Sequence, residues 1–131
     1  MIIAIVGSRN FKNKKLVFEK IEEELEYIYL TKENKSNGVC LVSGGAKGVD
    51  TWAEEFAKKY WHDEAHYKVI SPLQKESKLS YLFRNVEIVT LSDKILAFWD
   101  GISSGTRFTI NYAKARGKQV IVFGEDGKTS N

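Results

Sequence analysis

Apolar residues gather in short unbroken runs at 2–6, 39–42 and 95–99, with a fourth at 120–123 and a weaker one at 66–70. Runs that do not alternate with polar residues suit strands buried on both faces, as in a parallel sheet. Between them the spacing becomes that of amphipathic helices. Leu16, Val17, Ile21, Leu25 and Ile28 form one stripe, on a long helix expected to start near Asn13. Trp52, Ala53, Phe56, Ala57 and Tyr60 form a second, and Leu79, Leu82, Phe83, Val86 and Val89 a third. Ile110 and Ala113, with Thr106, form a fourth, and Gly117 after Arg116 reads as the glycine that ends it. The alternation predicts an α/β, Rossmann-like three-layer α/β/α domain over 1–124. Its sheet is expected to be five-stranded and parallel, with the run 2–6 central and helices on both faces. Residues 125–131 read as a polar C-terminal tail expected to fray.

Composition narrows the picture slightly. A length of 131 residues with 43% hydrophobic content fits one globular domain. The net charge of +3 is mild, and Glu22, Glu23, Glu24 and Glu26 stand beside lysines. This is not the charge profile of a dedicated DNA-binding domain. The one cysteine, Cys40, lies in an apolar run, so an internal disulfide is excluded. It reads as a small buried residue rather than a nucleophile. The opening residues MIIAIVG lack the basic start of a signal peptide, and no run reaches the roughly 18 apolar residues of a membrane helix. A cytoplasmic location without membrane contact is therefore expected.

In an open parallel sheet the ligand crevice lies at the carboxyl ends of the strands, so the loops there should carry the chemistry. The first is Gly7-Ser8-Arg9-Asn10, where glycine allows a close backbone approach and Arg9 can fork onto a phosphate. The second, Ser43-Gly44-Gly45-Ala46-Lys47-Gly48-Val49-Asp50, opens a helix, and its glycines allow N–H groups to converge as an anion nest. Lys47 could add a full charge. The blander reading is a tight turn for helix–strand packing, with Asp50 as a helix cap. A third loop, Gly101-Ile102-Ser103-Ser104-Gly105-Thr106, follows Asp100 and repeats the arrangement. Arg84-Asn85 lies within the third helix, and on the ligand side Arg84 would neutralise a phosphate; otherwise it is a solvated side chain with a buried stem. Backbone N–H groups near Gly45 and Gly105 are where a phosphate is expected to approach.

Other signals are set aside. His62-Asp63-Glu64-Ala65-His66 places its glutamate wrongly for a zincin helix and spans a helix-to-strand junction, so no metal site is expected. Gly127-Lys128-Thr129 resembles the end of a Walker A motif but has Val122 where its first glycine belongs. No GxGxxG is present, and neither histidine sits in a motif loop.

The set VGSRNF (6–11), SGGAKGVD (43–50), RN (84–85), SDKILAFWDG (92–101) and SSGT (103–106) resembles the SLOG superfamily, and more closely its small YpsA-related proteins. The resemblance covers nearly the whole chain. It implies a Rossmann-like sheet of order 3-2-1-4-5 and a nucleotide-derived ligand, with no cofactor required. Relatives include the Lonely Guy phosphoribohydrolases, DNA-processing protein A, which binds single-stranded DNA, and SLOG sensor domains that bind ADP-ribose-like signals. The phosphoribohydrolases carry a Pro-Gly-Gly-x-Gly-Thr-x-x-Glu motif with a catalytic glutamate. Thr109 occupies that glutamate's position here, while Arg84 matches the family's arginine.

The leading expectation is accordingly a sensor, carrier or sequestering module for an ADP-ribose-like or cyclic nucleotide signal, binding with little or no turnover. A nucleotide hydrolase acting on an N-glycosidic bond, with Asp100 or less readily Asp50 replacing the lost glutamate, is the alternative. Single-stranded DNA binding stands third. A homodimer or larger assembly is expected from the aromatic excess on helical segments, at Tyr27, Tyr29, Trp52, Tyr60, Trp61, Tyr81 and Phe83.

Overall fold

The computed structural model describes residues 1–31, 38–62, 65–75 and 77–130. Among them, strands β1 (Ile2–Gly7), β2 (Cys40–Ser43), β3 (Tyr67–Val69), β4 (Lys94–Phe98), β5 (Gln119–Phe123) and β6 (Thr129–Ser130) form one sheet in the order β3-β2-β1-β4-β5-β6. Every pairing is parallel except β5 with β6. The helices are α1 (Lys14–Thr31), α2 (Val49–Trp61), α3 (Lys78–Leu91) and α4 (Ser104–Ala115). Their successive crossovers place β1 and β4 side by side at the centre, where the strand order reverses and a crevice opens.

The unbroken apolar runs reflect burial on both faces. Ile3, Ile5, Leu41, Leu96 and Phe98 join a core with Leu16, Val17, Ile21 and Leu25 of α1 and Ala53 and Phe56 of α2. The alternate residues Ala4, Val6, Val42, Ile95 and Ala97 pack on Ile88 and Val89 of α3 and Ile110 and Ala113 of α4. The α1 stripe is buried as its spacing predicts, and Asn13 Oδ1 accepts the Leu16 N–H at 3.1 Å to cap that helix.

Two features differ from expectation. In α3 the buried residues are Arg84, Ile88 and Val89, whereas Leu79 is 59% and Phe83 62% exposed. The helix is turned so that Arg84 faces the sheet, which carries the more apolar stripe outward. The tail is also not a frayed end. Asp126 Oδ1 accepts the Lys128 N–H at 2.9 Å, Gly127 adopts a positive φ of 82°, and the chain reverses into β6, a sixth strand beyond the expected five. Glu125 fastens this hairpin to the start of α1, accepting the Lys12 N–H at 2.7 Å through its carboxylate and the Asn13 side-chain amide at 3.0 Å through its carbonyl. Cys40 is half-buried, and burial raises its thiol pKa. No helix among the described residues is long and apolar enough to cross a membrane.

At the opposite end of the sheet from the crevice, Lys94 and Glu24 form a nearly buried ion pair that ties β4 to α1, with the ammonium over the Tyr27 ring. Glu24→Ala is expected to leave the Lys94 charge buried without its partner, at a cost of about 3–5 kcal/mol. The joint replacement Glu24→Leu with Lys94→Met is expected to match or exceed wild-type stability. Urea unfolding of both variants checks this, and equal losses in the two would contradict it.

Candidate functional site

The crevice between β1 and β4 is a cleft of about 410 Å³, within the range of small-ligand pockets. Three walls meet in it: the loop after β1, the loop after β4 with the start of α4, and the inward face of α3. From the first loop come Gly7, Ser8 and Arg9, with Asn10 beside them. Asp100, Ser103, Ser104, Gly105 and Thr106 come from the second, and Arg84 and Asn85 from α3. The glycine-rich loop after β2 contributes only Ala46 and Asp50.

Ser8 locks the first two walls together. It is buried, its hydroxyl pairs with that of Ser103 at 2.8 Å, and its oxygen accepts the Asp100 N–H at 3.1 Å. Asp100 Oδ1 accepts the N–H groups of Ile102 at 2.9 Å and Ser103 at 2.8 Å. These bonds, led by that from Ser103, hold its carboxyl pKa below the ordinary value. Asp100 therefore braces the loop that starts α4, and one of its oxygens is committed to that task. The first-turn N–H groups of α4, at Ser104, Gly105 and Thr106, have no carbonyl one turn back to receive them. Their residues line the cleft, so the positive end of the helix dipole faces it. Open space surrounds the position a Gly105 Cβ would take.

The glycine-rich loop does something other than the expected open nest. It wraps around Asp50, which is only 6% exposed. Asp50 Oδ2 accepts the Ala46 N–H at 3.0 Å, and the Gly44 backbone also hydrogen-bonds to this carboxylate. The anion held by the nest is thus the protein's own, and Asp50 lies inside the first turn of α2 rather than capping it. Arg84 closes the other side: its Nη1 donates to the Gly44 carbonyl at 2.6 Å and its Nε to Asn85 Oδ1 at 2.9 Å. A Cβ at position 44 would run into this guanidinium and displace it. Gly45, Ser43 and Lys47 do not line the cleft. Gly45 has a φ of 72° and packs its α-carbon near Val69, so its glycine answers to the backbone. Ser43 is buried and bonded to the Tyr67 hydroxyl, and Lys47 is exposed.

Two further residues line the cleft from outside the loop motifs. Tyr81 stands one turn before Arg84 on the inward face of α3, and its ring lies 5.3 Å from the Arg84 guanidinium and 5.7 Å from that of Arg9. An aromatic ring flanked by two cations could have been found from the 81–84 spacing only if the rotation of α3 were known. Thr109 also lines the cleft, with its hydroxyl donating to the Gly105 carbonyl at 3.0 Å. Of the two histidines, His62 ends α2 in the left-handed region and His66 stacks on Trp61 at 4.7 Å, both away from the cleft. Asp63 and Glu64 lie outside the described residues.

Burial is the main influence on Asp50, pushing its pKa from 3.8 up to about 6 against the opposing pull of the Ala46 N–H and Arg84. Between those two values the folded chain holds a proton that the unfolded chain has lost. Stability contributed by this group therefore declines as pH rises from about 4 to about 6, and levels off above. Asp50→Asn is expected to flatten that part of the profile. Urea unfolding of wild type and variant at stepped pH measures the difference, and parallel profiles would contradict it.

Residues 1–71 match the family described as DNA recombination-mediator protein A. Over 129 residues the chain is 30% identical to the Gene 61 protein of Mycobacterium phage D29, covering 94% of this chain and 96% of that protein. Its fold is similar to that of DNA processing protein A from Helicobacter pylori, solved for its single-stranded DNA binding mode, with a TM-score of 0.70 and 22% identity. It also resembles DNA processing protein A from Streptococcus pneumoniae, with a TM-score of 0.65 and 23% identity. These likenesses take in 93% and 92% of this chain but only 64% and 49% of the two solved chains. With its matching region running from β1 through the glycine-rich loop to β3, this chain belongs to the DNA recombination-mediator protein A family.

Proposed function

We propose that the cleft binds the phosphate of a nucleotide-derived ligand and does not turn that ligand over rapidly. One observation carries this reading: Arg84 and the first turn of α4 line the same cleft, with Arg9 and the buried Ser8 beside them. Cations and free N–H groups at a helix start make a favourable place for phosphate oxygens. Tyr81 offers an aromatic face to a base. A free nucleotide or ADP-ribose derivative suits a cleft of this size, and no cofactor is needed to complete it.

Slow turnover follows from the carboxylates. Cleavage of an N-glycosidic bond develops positive charge on the ribose, which a carboxylate must stabilise while water is activated. Thr109 holds the glutamate position with a neutral hydroxyl bonded to backbone, and Asp100 is engaged in bracing its loop. Asp50 also lines the cleft, and the Ala46 N–H engages it as Ile102 and Ser103 engage Asp100. It and Asp100 are the two carboxyls any residual hydrolysis would use.

A second reading has its own support. Membership of this family, and the single-stranded DNA binding of the Helicobacter pylori protein whose fold is similar, favour a cleft that takes one nucleotide of a DNA single strand. The exposed stripe of Leu79, Leu82 and Phe83 on α3 supports pairing of two copies through that helix.

Calorimetry with adenosine monophosphate, ADP-ribose and thymidine monophosphate tests the cleft. Arg84→Ala is expected to lose about 1.5–3 kcal/mol of binding, the range of a charge-assisted bond. Gly105→Val fills open space at the mouth without disturbing the core, and is expected to block binding while leaving the urea midpoint close to wild type. Unchanged affinity in both variants would place the ligand elsewhere. Incubation with the same nucleotides, followed by chromatography, is expected to yield no multiple turnovers within minutes. Rapid turnover lost in Asp50→Asn would make the protein an enzyme. Light scattering at micromolar concentration is expected to give a dimer mass that falls to a monomer in Phe83→Glu, and a wild-type monomer would refute the pairing.

A further inference from the structure

The positive charge of this chain is unevenly placed. Residues 101–124 contain Arg107, Lys114, Arg116 and Lys118 and no Asp or Glu. Since the whole chain carries +3, these four cations exceed its net charge and leave the remainder at −1. Half of this segment is α4, the helix whose first turn faces the cleft, and it carries Arg107 and Lys114. Arg107, Asn111 and Lys114 follow the i, i+4, i+7 spacing of a single helix face. Arg107 and Lys114 are exposed and Asn111 lies between them, with the two cations about 10 Å apart along the axis.

That face does not stand alone. Together with Trp99 it lines a second, shallow groove of about 160 Å³ in which no described lining residue is acidic. The Trp99 indole N–H donates to the Ser103 carbonyl at 3.0 Å, which fixes the ring beside the start of α4. The Arg107 guanidinium lies 5.4 Å from the centre of that ring. The groove therefore repeats the pairing of guanidinium and aromatic ring found in the cleft at Arg84 and Tyr81.

Two routes lead out of the cleft on this side. One passes Asp100 into a depression lined by Glu125, Asp126 and Lys128 of the hairpin, where carboxylates outnumber the cation and disfavour phosphate. The other crosses the start of α4 to Arg107. We propose that a DNA single strand with one nucleotide in the cleft leaves over α4, laying its next phosphates on Arg107 and Lys114 and a base toward Trp99. The proposal rests on the strand reading of the cleft. Backbone-tracking cations interleaved with aromatic rings are the usual means of holding single strands without sequence preference.

Binding of the full chain to thymidine monophosphate and to a ten-nucleotide oligothymidylate, measured across a range of salt concentrations, tests the route. Each phosphate contact on a single strand contributes about 0.7 to the slope of log affinity against log salt. Arg107→Ala with Lys114→Ala is expected to lower the oligonucleotide slope by about 1.4 and leave monophosphate affinity unchanged. Lys58→Ala with Lys59→Ala, on the far side of the sheet, is expected to change neither. Arg84→Ala separates the two readings, because it should weaken both probes if the cleft is the nucleotide site. A lowered slope in the α4 variant with Arg84→Ala silent would keep the α4 route and reject the cleft. An unchanged slope in the α4 variant, an equal drop in the α2 control, or no oligonucleotide binding would overturn the proposal.

Discussion

The placing of α3 against the cleft depends on a buried carboxylate and a guanidinium separated by the backbone of Gly44. Asp50 cannot be withdrawn from water without partners, and the chain supplies them by folding the glycine-rich loop around it. Arg84 reaches in from α3 to the outward carbonyl of the same loop. Removing Arg84 would leave the Gly44 carbonyl without this donor, and removing Asp50 would leave the Ala46 N–H without its acceptor. The constraint also fixes the rotation of α3. To bring Arg84 and Tyr81 to the cleft, the helix must turn Leu79, Leu82 and Phe83 away from the core.

The two glycine-bearing loops consequently divide the work. Both open helices at strand ends, and both are rich in the small residues that let N–H groups converge. The first is filled from within by Asp50. The second is braced from below by Asp100 and Ser8, which engage the N–H groups of Ile102 and Ser103 and the Ser103 hydroxyl. The helical N–H groups that follow remain for a ligand. On the proposed reading a phosphate would meet α4 and the two arginines, while the loop that looks most like a phosphate cradle serves as a scaffold for one of them.

Much of this was legible in the residues, and the exceptions have physical causes. Unbroken runs such as 2–6 and 95–99 suit only strands covered on both faces, and strict alternation with helices then calls for a parallel sheet. The α1 stripe was readable because a single face of that helix is apolar. In α3, apolar residues occupy most positions, so period alone could not tell which stripe faces inward, and a buried arginine decided it. The hairpin escaped notice because Asp126-Gly127 is a turn signal followed by only two strand residues. Loop composition pointed to convergent N–H groups, but not that the glycine-rich loop turns its own around a carboxylate of the chain itself. That distinction depends on Asp50 lying in the first turn of α2, a matter of one or two residues at a helix start.

Proton–nitrogen correlation spectra of the ¹⁵N-labelled protein, recorded during titration with adenosine monophosphate, test the central claim that phosphate binds between Arg84 and the start of α4. The largest shifts should fall on the amides of Ser104, Gly105 and Thr106, with the Ala46 amide and the Arg84 Nε–H nearly still because Asp50 and Asn85 already hold them. Shifts concentrated at Gly45, Ala46 and Lys47, with the α4 amides unmoved, would contradict the account.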